Sequence, residues 1–194
     1  RTLTAINKAK RSRDVQELAP GRYRVILEPA AVAGLWSWML WTLDAKSYEK
    51  GTSPFADQLG RQILDERLTL QNVPGHPDLL GTGFTHEGLP SEEALWIEKG
   101  VLKQLVYDRF TAKQQRIKRI ATLEAPCLSA SGPTAFKTQE LIKQCERAIL
   151  VTNFWYIRTV NPTDLTLTGM TRDGTFLVED GQITTAVRNF RFHE

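Results

Sequence analysis

Asp180-Gly181 sits between two runs of strand-like composition, GTFLVE before it and QITTAV after it. A two-residue type I′ turn needs positive φ at both central positions, which Asp-Gly supplies at little cost. The pair therefore predicts a tight β-hairpin. Upstream, ILVTNFWYIRTV and LTLTGMT also have strand composition, so the C-terminal part of the chain reads as β. The triplet Arg172-Asp173-Gly174 falls between LTLTGMT and GTFLVEDG and reads as a loop joining two strands. In NFWYIR, strict alternation places Phe154 and Tyr156 on one face, with Trp155 and Ile157 on the other. A strand buried on both faces needs such residues. Stacking of single-stranded nucleic-acid bases would use them too, but core packing carries more weight.

The rest of the chain is more helical. The first dozen residues are basic and predict an amphipathic helix or a linker. Pro20-Gly21 marks a turn, and RYRVILEP alternates as a strand. Pro29 suits a first helical turn, because its missing N–H costs nothing there. The helix it opens, Ala30 to about Leu43, is apolar nearly all round, with Trp36, Trp38 and Trp41 on different faces, which predicts burial on several sides. ILDERLTLQ reads as a strand. Asn72 to Ser91 is rich in Gly and Pro and predicts an irregular, mobile loop. EALWIEKG and VLKQLVYDRF form a hairpin turning near Lys99-Gly100, with Leu95 and Ile97 on one face. TAKQQRIKRIATLEAPCLSASGP is a polar helix followed by a loop. TAFKTQELIKQCERAIL is a helix capped by Thr138 and reinforced by Glu140. Helices interspersed with antiparallel hairpins indicate an α+β class: a mostly antiparallel sheet or partly open barrel with a few packed helices. Residues 1–17 form a basic helix or linker, and 18–194 form one domain.

Composition narrows function mainly by exclusion. At 194 residues, 41% hydrophobic and 24% charged, the chain has the make-up of an ordinary globular domain. The formal charge of +3 is mild. Two basic clusters, Lys8–Arg13 and Arg116–Arg119, read as solvated faces more readily than as phosphate contacts, so nucleic acid is disfavoured as a partner. The longest apolar stretch, AAVAGLWSWMLWTL, falls short of the roughly 20 residues of a membrane span. Two cysteines without CxxC spacing, Cys127 and Cys145, fit a reducing compartment, and the expected location is cytoplasmic. The opening RTLTAINKAK lacks an initiator Met, which suggests a piece of something longer.

No catalytic motif is complete. A helical zinc site needs two His one turn apart with a Glu beside them. Here His86-Glu87 is followed by Gly88 and Pro90, His76 stands between Gly and Pro, and His193 is next to last. GxSxG, GxGxxG and GK[ST] are all absent. Cys127 and Cys145 read as small hydrophobes rather than nucleophiles. The strands NFWYIRTV and NFRFHE set large apolar groups beside Arg158, Arg188 and Arg191, which is the composition of an interface core.

Five ordered blocks, LAPGRYRVILEPAAVAGLW, KGTSPFADQLGRQILDERLTL, HEGLPSEEALWIEKGVLKQLVYDRFTA, TQELIKQCERAILVTNFWYIRTVNP and LTLTGMTRDGTFLVEDGQITTAVRNFRF, resemble the C-terminal domain of the TldD/PmbA family. Its members are named both modulators of DNA gyrase and metallopeptidases. The likeness runs from about Leu18 onward and is nearest to PmbA-like members. It implies an active subunit with HExxxH in a preceding domain and a late Cys completing the zinc site, and a partner subunit without those ligands. The pair encloses a cavity in which extended peptides are cut. No Cys follows Cys145 here, so no metal ligand and no catalytic residue carries over, and no cofactor is expected in this chain. The resemblance implies a non-catalytic domain serving substrate enclosure and subunit association, with a peptide or unfolded protein as substrate and a second copy or a TldD-like subunit as partner. His86, Glu87, Arg172 and Asp173 are the residues expected to face the substrate. Two alternatives stand beside this: the second half of an active zinc peptidase whose HExxxH lies upstream, and a nucleic-acid-associated module.

Overall fold

The computed structural model describes residues 2–117, 123–132 and 137–194. Arg119 and Lys118, in the second basic cluster, lie outside the described residues, as does the start of the segment read as helical before Thr138. Five helices and ten strands are distributed over two compact units among the described residues. The first unit comprises residues 1–39, 136–161 and 165–194; the second comprises 40–135 and 162–164. The class is α+β, and neither sheet closes into a barrel. No described helix is long and apolar enough to cross a membrane.

The first unit is built on a six-stranded sheet. Its long strands are β7 (Arg147–Asn161) and β8 (Thr166–Glu179), paired antiparallel along nearly their whole length. The Asp180-Gly181 turn forms as expected: φ is 47° and 75° at the two residues, and Glu179 pairs with Gln182 of β9 (Gln182–Val187). The turn is also held from outside, because Asp180 N–H donates to Glu146 O at 2.8 Å and Gly181 N–H to Cys145 O at 3.0 Å. Two short strands run parallel to the edges: β1 (Val15–Gln16) beside β9, and β2 (Val25–Leu27) beside β7. The last strand, β10 (Arg191–His193), pairs with the first part of β8, end to end with β9.

The first part of β7 is buried on both faces, as its composition requires. Ala148 and Leu150 pack with Ile26, Phe176, Val178, Ala186 and Ile142 of α5 (Thr138–Lys143), with Cys145 against this cluster. Ile149 and Val151 pack on the opposite face with Ala31 of α2 (Pro29–Trp41) and with Leu18, Tyr23, Leu27, Phe154 and Phe190. Lys137 rather than Thr138 caps α5; its N–H donates to Glu140 Oε2 at 3.1 Å, so Glu140 reinforces the first turn as expected.

Helix α2 is less buried than its apolar sequence predicts. Ala31 and Met39 are buried, Leu35, Trp36, Trp38 and Leu40 are half-buried, and Trp41 is 74% exposed. A helix apolar all round has no polar face to set aside, yet a single sheet covers only one side of it. The basic N-terminal segment is helical, as α1 (Thr2–Arg11), and Lys8 Nζ reaches Glu28 Oε2 at 2.5 Å.

The second unit holds a four-stranded antiparallel sheet in the order β5 (Val101–Leu102), β4 (Ala94–Glu98), β3 (Leu68–Asn72), β6 (Pro126–Ala130). Strand β3 (Leu68–Asn72) starts later than the sequence suggests. The Asp65 carboxylate accepts the Arg67 N–H at 2.9 Å and its guanidinium at 2.8 and 2.7 Å, closing a turn immediately before it. These bonds hold the Asp65 carboxyl well below the usual carboxylate range. The hairpin β4 (Ala94–Glu98) and β5 (Val101–Leu102) turns at Lys99-Gly100 as expected. Strict alternation fails there: Trp96 and Ile97 are both fully buried while Leu95 is exposed. The segment read as a loop after the polar helix contains β6 (Pro126–Ala130), which pairs with β3 over five residues. That pairing is long-range, so local composition did not reveal it. Helix α4 (Arg109–Gln115) is capped by Asp108, whose carboxylate accepts the Thr111 N–H at 2.6 Å.

Candidate interaction surface

Arg172-Asp173-Gly174 is not a loop between two strands. It lies inside β8, where the pairs Val151–Thr175 and Asn153–Arg172 leave Asp173 and Gly174 opposite the single residue Thr152. Two residues facing one make a β-bulge, which bends the strand and re-aims side chains. Asp173 has φ 60° and Gly174 φ 114°. The buried Thr152 hydroxyl lies 3.2, 3.0 and 2.9 Å from the carbonyl oxygens of Arg172, Asp173 and Gly174. On the far side of β8, Thr171 Oγ1 accepts the Phe190 N–H at 3.1 Å, and Thr175 Oγ1 donates to Asn189 Oδ1 at 3.2 Å. These bonds hold the link between β9 and β10 against the bulge.

A second bulge sits in β7. Trp155 pairs with Met170 and Arg158 with Thr168, so Tyr156 and Ile157 together oppose Gly169. Tyr156 takes φ 55°, rare for a bulky residue. The extra residue defeats the alternation read from NFWYIR: Ile157 is buried, while Trp155 is 53% and Tyr156 54% exposed side by side. Neither ring is a core residue. Their centroids are 5.6 Å apart. The Arg172 guanidinium lies 4.7 Å from the Trp155 ring centroid, and that of Arg158 lies 4.2 Å from Tyr156, both cation–π contacts.

Cross-strand register defines the rest of this surface. Trp155 pairs with Met170, which pairs with Arg191; Arg158 pairs with Thr168, which pairs with His193. Paired residues on neighbouring strands share a face. One face of the β7–β8–β10 sheet therefore carries Trp155, Met170, Arg158, Arg172, Arg191 and His193, with Tyr156 at the bulge. Asp173 stands at one end of it, bonded to Asn153 Nδ2 at 2.9 Å and to Arg172 Nε at 3.2 Å. The opposite face is closed, with the Phe154 and Phe192 rings 4.7 Å apart. The sequence pointed to Arg158 and Arg191 by composition. It gave no sign of Met170, Thr152 or Asn189, because their roles depend on register. Arg188 lies off this face and pairs with Glu17 at 2.9 Å.

His86 and Glu87 belong to the second unit, within the Gly- and Pro-rich segment. That segment is irregular, as expected, but internally bonded. Thr85 is buried; its N–H donates to Leu89 O at 2.7 Å, and its hydroxyl accepts the N–H groups of Glu87 and Leu89. Asn72, also buried, accepts the Ala125 N–H at 2.7 Å and donates to Glu92 O at 2.8 Å. Glu87 Oε1 accepts the Arg109 N–H at 3.2 Å at the start of α4, and its Oε2 is buried with no hydrogen-bond partner among the described residues. His86 Nδ1 lies 3.9 Å from Glu124 Oε1, with the imidazole exposed. Nearby in sequence to this anchored turn and to α4, Leu80, Phe84 and Phe110 are exposed.

A family model described as the PmbA/TldA metallopeptidase C-terminal domain matches residues 20–194. The chain belongs to the PmbA/TldD family. Among solved structures, TldE from Thermococcus kodakarensis superposes with a TM-score of 0.82 at 24% identity, over 99% of this chain and 46% of that one. A candidate modulator of DNA gyrase from Bacteroides thetaiotaomicron gives 0.80 at 24% identity, over 98% and 43%. One from Thermotoga maritima gives 0.80 at 22% identity, over 96% and 45%. The chain thus spans less than half the length of these relatives, and the likeness shows the shared fold. No curated protein gives a significant match. The family's description implies a metal, but among the described residues no group of three or more His, Cys, Asp or Glu is placed to hold one. The donor set in this domain does not fit a zinc ion.

Proposed function

We propose that this domain serves subunit association and substrate enclosure in a PmbA/TldD-type peptidase assembly, without supplying catalytic groups itself. The observation that carries the reading is the exposed Trp155–Tyr156 pair flanked by stacked arginines. Exposed aromatics with Arg and Met, on three strands that contain no Lys, are the make-up of protein interface cores. Holding Tyr156 at φ 55° in a bulge costs backbone energy, and such strain is concentrated where a side chain has work to do. The substrate side of the reading has its own support in the second unit. Leu80, Phe84 and Phe110 offer exposed apolar contact, which suits extended peptides of varied sequence. His86 and Glu87 would border such a peptide, and Arg172 and Asp173 would belong to the association surface.

Sedimentation velocity across a concentration series tests the association. Mixed with a related subunit, the chain is expected to shift to a larger species as concentration rises, and Trp155→Ala to weaken that shift. An interface aromatic of this kind contributes roughly 2 kcal/mol or more when truncated. A chain that stays monomeric alone and in mixture with a related subunit, with and without Trp155, would remove the reading.

A further inference from the structure

We infer that the face built by β7, β8 and β10 docks an acidic protein surface, its carboxylates received by Arg158 and Arg191; this rests on reading that face as an interface. Arg158, Arg172 and Arg191 share the face, and among the described residues Asp173 is its one acidic side chain, already engaged by Arg172 and Asn153. Among the described residues neither Arg158 nor Arg191 has an ion pair; Arg158 donates to the neighbouring Ile157 carbonyl at 3.1 Å. The face is therefore net positive, with two arginines whose charges are unopposed.

Three partners compete for such a face. A second copy presenting the same face across a two-fold axis would bring like charges together, because each carboxylate is already spent on its own arginine. Single-stranded nucleic acid would need open ring faces for base stacking. Here a guanidinium already covers one face of Trp155 and one of Tyr156, at 4.7 and 4.2 Å. An acidic protein surface meets neither obstacle. Stacking on an aromatic ring leaves the edge of a guanidinium free, and that edge carries the paired N–H groups that bind a carboxylate bidentately. The rings beneath fix the orientation of the fork before binding, which lowers the ordering cost.

The test uses the chain with a fluorescein-labelled poly-L-glutamate as probe, and a labelled oligo(dT) of matching charge in parallel. Arg158→Lys with Arg191→Lys keeps the charge and removes the fork; Arg158→Gln with Arg191→Gln removes both. Both arginines are exposed, and thermal melts of each variant confirm that it folds. Polyglutamate affinity is expected to fall on the order of tenfold in the Lys pair and further in the Gln pair, since bidentate geometry does not transfer to an ammonium. The oligo(dT) affinity should be weaker than that for polyglutamate and indifferent to the Lys pair. The inference is overturned by absent polyglutamate binding, by a Lys pair that binds as wild type does, or by tighter binding of oligo(dT). If polyglutamate fails while Trp155→Ala still alters sedimentation, the face is an interface with a non-acidic partner. If both fail, the interface reading falls with it.

Discussion

Single residues hold the working face in place by close contact as much as by bonding. Gly169 opposes the β7 bulge, and a Cβ there would stand 2.7 Å from the Phe192 ring and 3.2 Å from the Ile157 backbone. Phe192 can shift only at the expense of its packing on Phe154, and the Ile157 backbone belongs to the strand. Gly169→Ala is therefore expected to destabilise the fold by about 1–3 kcal/mol, read as a lowered midpoint in chemical denaturation; an unchanged midpoint would show that the strands separate freely here. Asp108 offers a pH-dependent prediction in the other unit. The Thr111 N–H, first among its partners, lowers the Asp108 pKa below the ordinary value of 3.8. A depressed folded pKa means the cap's contribution is fully present above the unfolded value and is lost as pH falls through the folded one. Asp108→Asn is expected to lower the melting temperature at neutral pH, with the gap to wild type closing below about pH 3.8. A gap independent of pH would assign the effect to packing instead of charge.

At the scale of elements, legibility depended on whether the deciding contacts are local. The Asp180-Gly181 hairpin was readable because a type I′ turn places its demand on two adjacent residues. The Lys99-Gly100 turn was readable for a related reason: Gly100, at φ 76°, has Gln62 and the Leu64 carbonyl where a Cβ would go. Strand β6 and the interior position of Arg172-Asp173-Gly174 were not readable, because pairing over long sequence separations decides both. The Gly- and Pro-rich segment lies between these cases. Its sequence indicates mobility, yet Thr85 and Asn72 tie it at two buried points. Hydrogen exchange is expected to be faster across residues 75–84 than in β7 and β8, with the Leu89 and Gly88 amides slowest within the segment. Uniformly rapid exchange through Leu89 would mean that the Thr85 bonds do not persist in solution.

For the molecule as a whole, the family is described as one of metallopeptidases, while the potential metal donors of this domain lie apart among the described residues. Three histidines and two cysteines are spread over the chain, and none is gathered with acidic residues into a cluster among the described residues. Purified chain is expected to carry well under one zinc per molecule by metal analysis and to melt at the same temperature with and without chelator. One tightly held zinc per chain, with loss of stability on its removal, would require a ligand set assembled in some other way.

The sequence by itself determined the α+β class, the β-rich C-terminal part, the principal turns and the family, because each rests on composition, on adjacent residues or on the order of blocks along the chain. It also brought Arg158, Arg191 and the aromatic strand to notice as a composition. Only the tertiary structure decided which side of the sheet they occupy. Side-chain direction in a strand has a period of two, so one inserted residue reverses every position after it. Tyr156 and the Asp173-Gly174 step are such insertions. Tyr156 fits the sequence pattern of an ordinary strand and Asp173-Gly174 that of a turn; each is defined as a bulge by what the neighbouring strand places opposite it, Gly169 in one case and Thr152 in the other.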